Sequence, residues 1–131
     1  MSGDRPYLPG MNIDIDDLVT RYVAVWNEPD PAARRTMIAS LWAADGSEYT
    51  ERSRYHGHEA MEARVTEAHT DLVQNGGFLF HPEHDTKAHH NAVSFTTRMV
   101  PAAGGDPAWR GRVFLVLDDD ARIRDDYQFA L

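Results

Sequence analysis

The chain has no cysteine, which excludes a disulfide framework, a cysteine nucleophile and a thiolate metal site, and suits a cytoplasmic protein. Positive charge is scarce too: 13 Lys and Arg stand against 21 Asp and Glu, for a formal net charge of −8. That balance repels phosphate backbones and anionic bilayers, so neither nucleic acid nor a membrane is an expected partner. No apolar run approaches the ~20 residues of a membrane span. A phosphate-cradling glycine loop, a dinucleotide fingerprint and a G-x-S-x-G elbow are all missing. Residues 1–11, MSGDRPYLPGM, have no apolar run of the signal-peptide kind and are expected to form a flexible N-terminal segment.

What remains is 131 residues, 42% hydrophobic and 10% aromatic, enough for one core and too few for two. A single domain is expected over 12–131. Ile15, Leu18, Val19, Tyr22 and Trp26 recur at three- and four-residue spacings, predicting an amphipathic helix from Asn12, its cap, to Asn27. Asp30-Pro31 starts a second helix reaching about Ser40, after which Asp45-Gly46 is expected to turn the chain. A brief strand over Ser47–Glu51 and a polar loop over Arg52–Gly57 follow. A third helix from His58 has Met61, Val65, Ala68, His69 and Leu72 on one face, with Glu59, Glu62, Arg64 and Glu67 mostly away from it. Beyond Asn75-Gly76-Gly77 the pattern alternates, predicting strands at Phe78–Phe80, Ala92–Val100, Trp109–Leu117 and Ile123–Leu131 in an antiparallel meander. Helices followed by strands indicate an α+β domain, three N-terminal helices packed on a curved antiparallel sheet.

Four segments, in this order, carry a family resemblance: Arg21-Tyr22-Val23-Ala24-Val25-Trp26-Asn27 with Asp30, Leu41-Trp42-Ala43-Ala44-Asp45, Gly57-His58-Glu59-Ala60-Met61, and Leu117-Asp118-Asp119-Asp120-Ala121-Arg122-Ile123. Together they resemble the SnoaL-like branch of the nuclear transport factor 2-like superfamily, which includes polyketide cyclases, ketosteroid isomerases and limonene epoxide hydrolases. The resemblance implies a cone-shaped domain enclosing a blind apolar pocket, often in a dimer. Ala121 departs from it, standing where the family usually has a hairpin glycine. The isomerase branch needs a tyrosine, a neutral acid and a carboxylate base. Tyr22 falls at the tyrosine, but Thr50 stands at the base position, with Glu51 one residue off, and Val113 at the second donor. Two of the three groups are absent, so the chain is not expected to be an isomerase of that kind.

Alternation places Val93, Phe95, Thr97 and Met99 inward. Both faces of Trp109–Leu117 look buried, so an outer face carrying Phe114, Val116 and Phe129 is expected to meet a second copy in a homodimer. In the last strand, Asp126 and Gln128 face the cavity by the family's register, whereas periodicity favours Tyr127 and Phe129 inside. The expected polar cluster is Tyr22, His69 and Asp126, in a pocket walled by Trp26, Trp42, Tyr49, Phe80, Phe95, Thr97, Met99, Val113 and Gln128. An inward Asp126 would hold its proton more tightly through desolvation and could act as acid or base. His69 reads equally as a hydrogen-bonded core residue, and Tyr22 as a structural hydrogen-bond donor. Glu48 and Glu51 could supply a carboxylate near the mouth, although solvation is their commoner fate. The run His81–His90 lacks a recognised ligand spacing and is expected to be a solvated loop, with His89 and His90 diverging on a strand and no metal bound. No cofactor is expected. Two functions fit: a small enzyme doing proton-transfer chemistry (isomerisation, cyclisation, dehydration or epoxide opening) on an apolar oxygenated molecule, or a non-catalytic small-molecule-binding or scaffold domain.

Overall fold

The computed structural model describes residues 14–131. Both Asn12 and the expected flexible segment lie outside them. The first helix, α1 (Ile15–Asn27), is capped by Asp14, whose carboxylate accepts from the Asp17 backbone N–H at 3.2 Å. Asp30 caps α2 (Pro31–Leu41) in the same way, and Pro31 sits at the start, where its missing N–H costs no hydrogen bond.

The chain leaves α2 straight into β1 (Trp42–Tyr49), so Asp45-Gly46 lies inside a strand instead of turning the chain. These two residues are taken up by an irregularity in pairing between Trp42 and Ser47. There a Cβ on Gly46 would come within 2.7 Å of the Ile123 carbonyl, so the glycine serves close backbone approach. The polar segment expected as a loop supplies a short strand, β2 (Arg54–His56), antiparallel to β1. Next come α3 (His58–Ala68) and a π-helical turn, His69–Gln74.

The remaining strands are β3 (Phe78–Pro82), β4 (Lys87–His89), β5 (Ala92–Pro101), β6 (Trp109–Leu117) and β7 (Ile123–Ala130). Their order is β2-β1-β7-β6-β5-β3, with β4 also on β5. The expected antiparallel meander holds for β5, β6 and β7, but β1 joins β7 in parallel and the sheet is mixed. β1 precedes α3 and fills the edge that the β6–β7 hairpin leaves open, and the intervening elements act as the crossover that a parallel pair requires. β4 lies within the histidine-rich segment expected to be loop. The strand ends at His89, and His90 turns into the left-handed region (φ 51°), so the two rings meet edge to face instead of diverging.

Helices cover the concave face, where Ile15, Leu18, Tyr22, Val25, Ile38, Met61 and Val65 pack on Phe95, Val113, Leu115 and Ile123. On the opposite face Phe114, Tyr127 and Phe129 are exposed. Among the described residues no helix is long and apolar enough to cross a membrane.

The β6–β7 turn carries the one family departure, and Ala121 there adopts φ 61°. A left-handed conformation costs a residue with a Cβ roughly 1–2 kcal/mol. Against this, glycine loses more entropy on folding. Ala121→Gly is therefore expected to stabilise the fold by up to about 1 kcal/mol in urea titration; a loss of stability would show that the turn is unstrained.

Candidate functional site

Tyr22 sits on the inner face of α1, its ring edge-on to Phe95 at 5.4 Å and tilted against Trp42 at 5.5 Å. The tyrosine is 1% exposed, so its hydroxyl must find a partner inside the protein. That partner is Asp126 on β7, whose Oδ2 accepts from the Tyr22 hydroxyl at 2.8 Å. Asp126 faces inward because β7 contains a bulge: Leu117 pairs with Ile123 and Val116 with Asp125, which leaves Arg124 as an extra residue. One added residue reverses the parity of everything after it. Ile123 is therefore buried, and the inward set continues with Asp126 and Gln128, while Tyr127 and Phe129 point out.

Gln128 extends the network, its Nε2 donating to the Tyr22 hydroxyl and to Glu48 Oε2, each at 2.6 Å. Parallel pairing of β1 with β7 places Glu48 beside Asp126, so the expected mouth carboxylate is wholly buried. Glu48 Oε1 accepts from Arg64 Nε at 3.0 Å. The Arg64 guanidinium lies over the rings of Trp26 and Tyr55, 5.5 and 5.2 Å from their centres. The polar cluster thus runs Asp126, Tyr22, Gln128, Glu48, Arg64.

Its electrostatics separate the two carboxylates. Burial pushes the Asp126 carboxyl well above its ordinary range and the Glu48 charge adds to this, against the hydrogen bond from Tyr22 and the charge of Arg64. Asp126 Oδ1 has no hydrogen-bond partner among the described residues, so an ionised Asp126 would be poorly answered. Glu48 is also raised by burial, but the charge and hydrogen bond of Arg64 oppose the shift. The arrangement of partners therefore favours the negative charge on Glu48, which holds Arg64, and the proton on Asp126. Tyr22 is driven well above its ordinary value, first by burial and then by Asp126, and stays a neutral hydroxyl.

Beneath α1 and α3 lies a cavity of about 200 Å³. Of the residues expected to wall it, Trp26, Phe80, Thr97, Met99, Val113 and Gln128 do, together with Tyr22. Trp42 and Phe95 are packed behind Tyr22 in the core. Tyr49 lies outside the cavity, stacked on the outward Tyr127 and within 3.5 Å of Asp125. Neither Asp126 nor Glu48 lines the space, which they reach through Tyr22, Gln128 and Arg64.

His69 is not brought to this cluster. Its ring is buried at the start of the π-helical turn, near the Asn27 backbone, and its proton affinity is lowered by burial and by Arg34. Asn27 is more than a helical turn beyond Tyr22 on α1, so a position shared with Tyr22 on the inner helical layer does not become contact. Arg64 is the residue that the helical reading put on the wrong face. Met61, Arg64 and Ala68 are spaced i, i+3, i+7, and that spacing was the available signal for an inward stripe. Among the described residues no group of three or more His, Asp or Glu is placed to hold a metal ion.

No protein-family model matches the sequence, and no curated protein does. Solved structures do match. A candidate isomerase of the SnoaL-like family from Agrobacterium tumefaciens is 23% identical and superposes with a TM-score of 0.80 over 88% of this chain and 95% of its own. For a candidate polyketide cyclase from Sinorhizobium meliloti the identity is 16% and the TM-score 0.66, over 91% of this chain and 97% of that one. A SnoaL-like protein from Burkholderia thailandensis is similar at 17% identity and a TM-score of 0.68, over 89% of this chain and 94% of its own. With its helices laid in the concave face of a mixed, curved sheet, the chain has the SnoaL-like, nuclear transport factor 2-like fold.

Proposed function

We propose that the chain is a small enzyme that works without a cofactor and moves a proton on an apolar, oxygen-bearing molecule held in this cavity. One observation carries the reading: a tyrosine hydroxyl on the cavity floor is bonded at 2.8 Å to a fully buried carboxyl whose proton affinity is raised. The pair has two states that differ by one proton. With Asp126 ionised, the Tyr22 oxygen takes a proton from a substrate carbon while the Tyr22 proton passes to Asp126 Oδ2. The electron pair of the broken C–H bond then resides on the substrate oxygen as an enolate. With Asp126 protonated, the same path runs backwards: Tyr22 gives a proton to substrate and receives one from Asp126. Removal at one carbon and return at another is an isomerisation, and it consumes no other reactant. The apolar walls keep water out, which strengthens each of these contacts.

A binding module of the same fold is the second reading. What favours it is that both carboxylates stand behind the residues that line the cavity.

The probe 5-nitrobenzisoxazole separates the two, because it needs only a base: its ring C–H proton is removed, the N–O bond breaks and the pair ends on a coloured phenolate. The wild-type chain should open it faster than free acetate does, and Asp126→Asn should lower the rate by about 10²–10⁴-fold. Since the active form is ionised Asp126 and its titration is raised, the rate should climb with pH above the usual carboxylate range and flatten in the Asn variant. Equal rates for wild type and variant would favour the binding module.

A second copy of the chain is the proposed partner on the outer sheet face. Phe114 pairs with Tyr127 there, and Phe129 lies on the same strand, an apolar patch of the kind that marks contact surfaces. Light scattering at micromolar concentration should give the mass of two chains, reduced towards one by Phe114→Glu; a single-chain mass for the wild type would dismiss the dimer.

A further inference from the structure

Arg64 is held as a donor with an unused edge. Only its Nε is engaged by a carboxylate, at 3.0 Å from Glu48. Its guanidinium lies over the rings of Trp26 and Tyr55, which confines it between them. Nη1 and Nη2 form no hydrogen bond with any described residue, although the side chain lines the cavity and is only 24% exposed. Glu48 does not line the cavity, so Arg64 stands between that carboxylate and the cavity space. Two parallel N–H donors on a rigid fork match the two oxygens of a carboxylate, a geometry that a lone ketone or alcohol oxygen leaves half satisfied.

The rest of the cavity sets what the carboxylate is attached to. Its walls include the rings of Trp26, Phe80 and Trp109. Gly111 is what allows Trp109 to close over the sheet: a Cβ there would stand 2.1 Å from the indole ring. The volume of about 200 Å³ is below the ~300–1,000 Å³ of drug-sized sites, which suits a ligand of about one ring. We infer that the cavity takes a flat, single-ring apolar monocarboxylate, its carboxylate paired with the two Nη groups of Arg64 and its ring laid between Trp26, Phe80 and Trp109.

This inference rests on the reading that the cavity is the working site, but it concerns binding and needs no turnover. Benzoate and benzyl alcohol are the probes, titrated into the full chain by calorimetry and followed by tryptophan fluorescence. Benzoate should bind roughly tenfold or more tightly than benzyl alcohol, as befits charge-assisted hydrogen bonds that the alcohol cannot make. In Arg64→Gln/Glu48→Gln, which removes both charges of the pair together, that preference should disappear. If the double variant does not fold by circular dichroism, Arg64→Lys serves: a point charge replaces the fork, and the preference should fall severalfold. Equal affinities in the wild type, or a preference that survives in the folded variant, would overturn the inference. Benzoate selectivity without benzisoxazole opening would uphold it while refuting proton transfer, and the reverse pattern would do the opposite.

Discussion

The hydrogen bond between Tyr22 and Asp126 ties the first helix to the last strand, across 104 residues of sequence. A carboxyl with no route to water must be neutral or well supplied with donors, since stripping water from an ionised group costs several kcal/mol. Among the described residues Asp126 has Tyr22 on one oxygen and no partner on the other, and it sits beside a second carboxylate. The arrangement is tenable because Asp126 keeps its proton and Glu48 takes Arg64. Each piece then fixes another. Gln128 donates both to Glu48 and to Tyr22, and these two acceptors set the orientation of its amide.

The same division gives the cavity its chemistry. A neutral acid behind a tyrosine and an ionised acid behind an arginine give two identical functional groups the separate parts of proton carrier and anchor in the proposed reaction, and environment alone separates them. Both carboxylates are buried, and of this polar network only Tyr22, Gln128 and Arg64 line the cavity, so the proposed ligand site and the proposed proton store occupy adjacent layers. A fold shared by many proteins says nothing of this layering, which belongs to these side chains.

Much of the fold was legible in the sequence, because α1 and α3 are amphipathic over several turns and the strand β5 alternates cleanly. The resemblance read from four short segments agrees with the fold of the solved structures it superposes on. The inner floor was less legible. Periodicity assumes that a strand keeps its parity, and the bulge at Arg124 breaks it, so Tyr127 and Phe129 looked internal and Asp126 external. Asp45-Gly46 has turn composition yet serves a bulge, because tertiary pairing with β7 outweighs local preference. Arg64 looked like one more charge on a solvated helix, and the buried Glu48 together with two aromatic rings on other elements draws it inward. His69 shows the converse: an inner helical face specifies burial but not which neighbour is met.

The account turns on Asp126 being uncharged where an ordinary aspartate is ionised. The most direct measurement is the difference infrared spectrum between the wild type and Asp126→Asn in the protonated-carboxyl stretching region, followed from pH 4 upward. A carboxylic acid band that belongs to Asp126 and persists well above the ordinary aspartate titration near ~3.9 is the predicted result. Its disappearance at or below that value would mean that Asp126 is ionised in the folded protein, and the proton carrier proposed for the cavity floor would not exist.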